Sequence, residues 1–194
     1  MTLRSLGLCI ATSISLLTSG CAAVVAGGAA TSASVVHDRR TAGAVIEDQS
    51  IELRVDHALD QNENLHKASH INVTAFNGMV LLTGETPTEA YRNEAGELAR
   101  VQDKVRRVYN ELTIAAPSSA MTRSSDAWIT TKAKSMLLGV DIKGFDPTRI
   151  KVVTENGTVY LMGLVYHAEA DATVARVQQI SGVQRIVKLF EYLD

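Results

Sequence analysis

Two halves of the chain carry the same order of hydrophobic and polar positions. Each half begins with apolar residues at every fourth position, a spacing that predicts an amphipathic helix. These residues are Ile51, Val55 and Leu59 in the first half, and Ile129, Ala133 and Leu137 in the second. An internal repeat of this kind indicates two copies of one structural module.

Each copy continues with two strand-like runs that are joined by Asn-Gly. Asn-Gly predicts a type I′ turn, because both central residues of that turn need positive φ. A glycine follows the second run of each copy, and we expect it to end the strand at a turn or at a close approach of two backbones. The predicted structural turn residues are Asn77, Gly78, Gly84, Asn156, Gly157 and Gly163.

A helical stretch follows each hairpin, roughly over residues 88–102 and 167–180, and a strand-like run closes each copy. The closing runs carry Val105, Val108 and Leu112 in the first copy, and Val183, Ile186 and Leu189 in the second. The order of elements is therefore α-β-β-α-β in each copy. We predict an α+β fold of two tandem modules, each a three-stranded mixed sheet with two helices on one face. Modules this small bury a limited share of their surface, so packing against each other is one way to stabilise both.

The N-terminus has the character of a secretory signal. Residues 1–17 carry one charged side chain, Arg4, followed by a short run of mostly apolar or small residues. The next segment, Leu16–Cys21, is similar to the lipobox of bacterial lipoproteins, in which the cysteine is acylated. It departs from that pattern at Thr18, where an aliphatic residue is usual. We therefore predict lipid attachment at Cys21, and the alternative is an ordinary signal peptide with a free cysteine.

The anchor predicts the location of the protein and the boundaries of its parts. Cys9 lies in the segment that would be removed, and Ala22 after Cys21 is typical of lipoproteins sent to the Gram-negative outer membrane. The stretch that follows is rich in Ala, Gly, Val, Ser and Thr, which favours a flexible tether, with order against the first module as the alternative. The predicted parts are a signal peptide at 1–20, a lipidated N-terminus and tether at 21–45, modules at 46–115 and 124–194, and a linker at 116–123.

The repeated unit resembles the BON domain, a module of bacterial periplasmic and outer-membrane proteins. The strings at 71–75, 126–132, 154–157 and 161–165 are similar to those of outer-membrane lipoproteins that carry two BON domains. The closing Gly-Val of the family is present as Gly182-Val183, whereas the first copy has Lys104-Val105.

The resemblance implies a non-enzymatic, lipid-anchored outer-membrane protein that faces the periplasm. It further implies that the first helix of the second module binds anionic phospholipids such as phosphatidylglycerol and cardiolipin. The family is associated with the division septum, with envelope integrity and with the outer-membrane β-barrel assembly machinery, so a protein–protein adaptor of that machinery is the alternative function.

The repeat itself points to the same helix. When the copies are aligned, Trp128 falls on Ser50 and Leu138 on Asp60, so the core of the first copy is complete without these apolar residues. In a helix successive side chains are turned by about 100°, so the first helix of the second copy has a mildly apolar face opposite its core face. Tryptophan suits a membrane interface, although packing of Trp128 between the modules is an alternative. The predicted phospholipid-binding residues are Trp128, Thr131, Lys132, Lys134, Ser135 and Leu138.

The distribution of charge agrees with this orientation. Residues 46–116 contain 7 Lys or Arg and 12 Asp or Glu, a balance of −5, whereas residues 117–194 contain 9 and 8, a balance of +1. The whole chain has a formal net charge of −2, which gives no general attraction to nucleic acid. We expect an anionic surface to repel the first module but not the second.

Other candidate chemistry is weak. His57, His66 and His70 are close in sequence, and His66 and His70 have the spacing of a metal pair on a helix, but we expect them to be solvated. We find no catalytic motif, no apolar run long enough to span a bilayer, and no reason to expect a metal or another cofactor.

Overall fold

In the computed structural model, which describes residues 38–194, the first module begins with helix α1 (Ala42–Gln61). The Thr41 side chain caps it by accepting a hydrogen bond from the N–H of Ala44 at 3.1 Å. The helix begins four residues before the predicted start of the module, so residues 42–45 are helical and do not belong to a tether. The predicted signal peptide and Cys21 lie outside the described residues.

The rest of the first module contains one helix that the sequence pattern did not predict. After α1 come α2 (Glu63–Ala68), β1 (His70–Phe76), β2 (Met79–Thr86), α3 (Glu89–Arg100), β3 (Arg107–Asn110) and β4 (Thr113–Ile114). Strand β1 is antiparallel to β2, while β3 and β4 both pair with β2 in parallel. The predicted closing strand is thus broken, because Leu112 turns into the helix-side core and its N–H bonds to the side chain of Asn110.

The second module follows the prediction more closely. It contains α4 (Ala120–Leu137), a 3₁₀ turn (Pro147–Arg149), β5 (Ile150–Glu155), β6 (Thr158–Val165), α5 (His167–Val177) and β7 (Arg185–Tyr192). Its sheet has the order β5-β6-β7, with β5 antiparallel and β7 parallel to β6. Helix α4 is capped by Ser119 and begins inside the stretch predicted as linker.

The two Asn-Gly turns are confirmed. Asn77 and Asn156 have φ of 50° and 48°, and the glycines after them also have positive φ. The prediction that Gly84 and Gly163 end strands at turns is wrong, because both lie inside strands β2 and β6. The close backbone approach is present: a Cβ on Gly84 would lie 2.0 Å from the His70 carbonyl oxygen.

The modules pack sheet against sheet. Each sheet covers its own helices with one face, and the other faces meet in a shared apolar layer. In β2, Val80 and Leu82 face the helices of the first module, whereas Met79 and Leu81 face the second module. The layers are therefore helix, sheet, sheet, helix, and β2 is buried along its whole length because both of its faces are covered.

Two arginines before α1 join the modules at one edge. Arg39 pairs with Glu169 at the start of α5, with one N–O distance of 2.8 Å. Arg40 pairs with Asp48 in α1 at 2.7 Å and lies over the ring of Phe76. The chain therefore contacts both modules before it enters the first.

Candidate membrane-contact site

The outer face of α4 carries the apolar side chains that the repeat singled out. Ile129, Ala133 and Leu137 are buried against the sheet of the second module, as predicted. Trp128 is 54 % exposed and Leu138 is 75 % exposed, so neither is part of the core. Trp128 does not pack between the modules, and the alternative assignment made for it is wrong.

All six predicted residues of this face are exposed. The hydroxyl groups of Thr131 and Ser135 donate to the backbone carbonyls of Ala127 and Thr131, at 2.9 and 3.0 Å. Because these hydroxyl groups already have hydrogen-bond partners within the helix, the free energy needed to remove them from water is lower than for unpaired hydroxyl groups.

Met121 extends the face by two helical turns and was missed by sequence reasoning. It is 82 % exposed and lies seven residues before Trp128 in the first turn of α4. Residue 121 falls within the predicted linker at 116–123, but it belongs to α4. The seven-residue spacing of Met121, Trp128 and Ser135 is the signal that would have found it, once the helix is known to start at Ala120.

The two lysines of the face are free cations. Lys132 and Lys134 make no ion pair with any side chain in residues 38–194. No carboxylate of the described part of the chain therefore neutralises their charge, which is available to an anionic ligand.

One side of α4 also borders a cleft between the modules, with a volume of about 660 Å³. Lys134 and Leu138 form part of one wall, and Arg40, Gln49 and Phe76 of the first module form part of the other. The predicted site is thus split: four of its residues border the cleft, whereas Trp128 and Lys132 do not.

The corresponding helix of the first module is also partly apolar on its outside. Ile46 is 64 % exposed and Leu53 is 71 % exposed, although the sequence comparison had emphasised only the polar Ser50 and Asp60. The difference between the two helices is therefore mainly one of charge: α1 carries five Asp or Glu and one Arg, whereas α4 carries one Asp, one Arg and two Lys.

Two buried aspartates position α1 and α4, and we did not predict them. Asp126 accepts hydrogen bonds from the backbone N–H groups of Asn156 and Gly157, both at 2.9 Å. Asp48 does the same at the first hairpin, at 2.6 and 2.7 Å. Both aspartates occupy the same place in the repeat, and that coincidence was the available signal.

The structure separates the three histidines. His57 and His66 are exposed, as expected, and His66 lies 2.8 Å from Asp60. His70 is on strand β1, so it cannot form a helical metal pair with His66. The side chain of His70 is partly exposed, at 30 %, but its Nδ1 is buried and has no hydrogen-bond partner among the described residues.

Among residues 38–194, none of the helices combines the length and the apolar character that crossing a bilayer requires.

Comparison with known proteins agrees with the repeat. The sequence profile of the BON domain matches residues 47–116 and 125–194. The chain is 38 % identical over 176 residues to the outer membrane lipoprotein DolP of Haemophilus influenzae, covering 90 % of each chain. It is 37 % identical over 158 residues to a 21 kDa hemolysin of Actinobacillus pleuropneumoniae, covering 81 % of this chain and 80 % of that protein.

More distant similarities also exist. The osmotically inducible protein Y of Escherichia coli is 29 % identical over 148 residues, which cover 74 % of this chain and 72 % of that one. A solved structure of CdsD, a structural protein of the type III secretion system of Chlamydia trachomatis, covers 72 % of this chain and 90 % of its own, with 12 % identity and a TM-score of 0.30.

Proposed function

This chain belongs to the BON domain family of outer-membrane lipoproteins, and we propose that its second module binds anionic phospholipids through the outer face of α4. The BON domains and the DolP-like relative indicate a lipoprotein family that is not enzymatic. In this proposal the helix lies against the surface of a bilayer that contains phosphatidylglycerol or cardiolipin.

The observation that carries the proposal is the exposure of Met121, Trp128 and Leu138 on one helix face. Apolar surface of this kind, on a helix whose core face is already buried, favours a contact outside the protein. The indole ring suits the boundary between acyl chains and water, because it has a large apolar surface and one polar N–H. Burying ~100 Å² of Trp128 would contribute roughly 2.5 kcal/mol.

Charge supports an anionic partner. Near an anionic membrane each free lysine contributes about 1 kcal/mol, and the face offers Lys132 and Lys134. These contributions are modest, but a lipid anchor would raise the effective concentration of the module at the membrane, so weak contacts are sufficient.

The path of the chain supports the same orientation. Arg40 borders the cleft that Lys134 and Leu138 also border. The described residues therefore begin beside the part of the proposed membrane face that Lys134 and Leu138 form.

Co-sedimentation with vesicles tests the proposal. We would use the full chain with Cys21→Ser, so that no acyl chain contributes to binding, and vesicles with and without phosphatidylglycerol. Trp128→Glu is expected to abolish binding while the circular dichroism spectrum stays unchanged. Leu53→Glu is the matched control, since Leu53 is similarly exposed but lies on the acidic helix of the first module. Unchanged binding of the Trp128 variant would refute the site.

An adaptor function is the second candidate, and the exposed Ile46 and Leu53 favour it. A lipid surface would not attract these residues, because they lie on the acidic α1, whereas a protein partner such as the β-barrel assembly machinery could cover them. Binding to protein-free vesicles supports the lipid function, and its absence supports the adaptor. A role at the division septum and in envelope integrity belongs to the proposal in either form.

A further inference from the structure

Three metal-ligating side chains converge where the two modules meet, beside the N-terminal half of α4. His70 and Glu85 face each other on β1 and β2 of the first module, and Glu155 ends β5 of the second. One ligand atom from each, the imidazole nitrogen or a carboxylate oxygen, lies within 4.8 Å of the other two. The pairing of β1 with β2 places His70 beside Glu85, and the packing of the modules brings Glu155 to them.

The cluster leaves a strong hydrogen-bonding atom without a partner. His70 Nδ1 is buried and makes no hydrogen bond. Glu85 Oε2 lies 3.5 Å from it, which is too far for a good hydrogen bond. A buried polar atom that lacks a partner calls for an explanation, and a bound ion is one of the few available.

The same place holds two buried carboxylates. No Lys or Arg within residues 38–194 forms an ion pair with Glu85 or Glu155. The site therefore concentrates negative charge that a cation would offset.

Neighbouring groups already orient the carboxylates. Asn72 Nδ2 donates to Glu155 Oε2 at 2.9 Å, and the backbone N–H of Ser118 donates to Glu85 Oε2 at 3.0 Å. Asn156 Nδ2 donates to the other oxygen of Glu85. Hydrogen bonds of this kind hold the ligands of metal sites in position, and they leave lone pairs on each carboxylate for coordination.

We propose that His70, Glu85 and Glu155 bind a divalent cation of the zinc type between the two modules. One imidazole and two carboxylates suit Zn²⁺, whereas Mg²⁺ and Ca²⁺ prefer oxygen ligands alone. In a tetrahedral zinc site the ligand atoms lie about 3.4 Å apart. His70 Nδ1 and Glu85 Oε2 are 3.5 Å apart, and a ligand atom of Glu155 lies within 4.8 Å of both side chains.

The surroundings leave room for the ion to enter and for a further ligand. A cavity of about 410 Å³ reaches the cluster; it is bordered by His70, Asn72 and Glu155 and, on α4, by residues that include Arg123 and Asp126. Three protein ligands beside such a cavity leave a coordination position for water. Because the ligands come from both modules, the bound ion would join them and stabilise their packing.

Isothermal titration with Zn²⁺ alone tests this site. The full chain would carry Cys9→Ser and Cys21→Ser and no histidine tag, so that no thiol or added imidazole competes. We expect one Zn²⁺ per chain, a melting temperature that rises with Zn²⁺, and a visible d–d absorption when Co²⁺ replaces it. His70→Gln and Glu155→Gln should each weaken binding at least tenfold and remove the rise in melting temperature.

His66→Gln is the matched control, since His66 is exposed and lies only four residues from His70. It should bind Zn²⁺ as the parent chain does. The proposal is overturned if no Zn²⁺ binds, if binding survives in both site variants, or if it falls equally in the control. Far-ultraviolet circular dichroism shows that each variant is folded, and the partly exposed position of His70 makes its substitution by glutamine tolerable.

Discussion

Asn156, in the hairpin of the second module, donates a hydrogen bond from its side-chain amide to the buried carboxylate of Glu85 in the first module. The contact has a counterpart, in which Asn77 of the first hairpin donates to Glu191 of the second module. Each asparagine therefore has two roles: its backbone makes the tight turn, and its amide joins the modules. The Asn-Gly pattern indicates only the first role.

Replacing each asparagine by glycine separates these roles, because glycine also accepts positive φ. Glu85 is buried, whereas Glu191 is partly exposed and also pairs with Arg106. We expect Asn156→Gly to lower the free energy of unfolding by about 2 kcal/mol, since it removes a hydrogen bond to a buried charge. Asn77→Gly, the matched comparison, should cost about half as much. Urea denaturation measures both, and equal losses would show that the amide of Asn156 has no special role.

Asp126 is expected to be among the most sensitive positions in the second module. Asp126→Ala leaves the N–H groups of Asn156 and Gly157 without an acceptor and should lower the free energy of unfolding by about 3 kcal/mol. Asp171→Ala, which removes an exposed carboxylate of α5, serves as control and should change it by less than about 0.5 kcal/mol. Denaturant titration followed by the fluorescence of the single Trp128 compares the two. A small effect at Asp126 would mean that the hairpin does not depend on this anchor.

Met121 offers a test of how far the membrane face extends. Met121→Ser should weaken binding to phosphatidylglycerol vesicles about five- to tenfold, because roughly 1 kcal/mol of apolar burial is lost. Leu53→Ser removes an equally exposed apolar side chain from α1 and should leave the affinity unchanged. Vesicle titration followed by Trp128 fluorescence gives both affinities. If the two variants lose affinity equally, general surface apolarity and not α4 governs binding.

The ion pair of Arg39 and Glu169 predicts a dependence of stability on pH. Burial opposes ionisation of Glu169, but the hydrogen bonds from Arg39 and from the N–H of Tyr166 outweigh it and lower the pKa of this carboxyl. Its contribution to stability is therefore complete above the unfolded pKa of about 4.3 and is lost as the pH falls through the lower folded value.

The variant Arg39→Leu isolates this effect. It should melt at a lower temperature at pH 7, because it leaves Glu169 as a buried charge with a weaker partner, the more distant Arg149. The difference from the parent chain should shrink between pH 5 and pH 3, approximately the range over which the carboxyl is protonated. Melting curves at a series of pH values test this, and a difference that stays constant with pH would contradict it.

The amino-acid sequence was sufficient for the repeat, the two hairpins and the core face of each first helix. Ile51, Val55 and Leu59 are buried, and so are Ile129, Ala133 and Leu137, because helical periodicity depends only on near neighbours in the chain. The Asn-Gly turns followed from the local geometry of two residues. The outer face of α4 could likewise be found by comparing one copy of the repeat with the other.

The sequence pattern predicted the secondary structure wrongly at two places where one module departs from the expected repeat. The closing strand of the first module is broken at Leu112, whose side chain enters the core, and α4 begins inside the expected linker and exposes Met121. Neither feature changes the apolar periodicity enough to be recognised.

Only the tertiary structure decided what lies between the modules. The packing of the two sheets, the bonds from the asparagine amides to Glu85 and Glu191, and the cluster of His70, Glu85 and Glu155 all join distant parts of the chain. Hydrophobic periodicity and turn-forming residues depend on neighbours along the backbone. The contacts between the modules depend instead on which faces of the two sheets meet. A residue such as Glu85 therefore has no mark in the sequence that distinguishes it from a solvated glutamate.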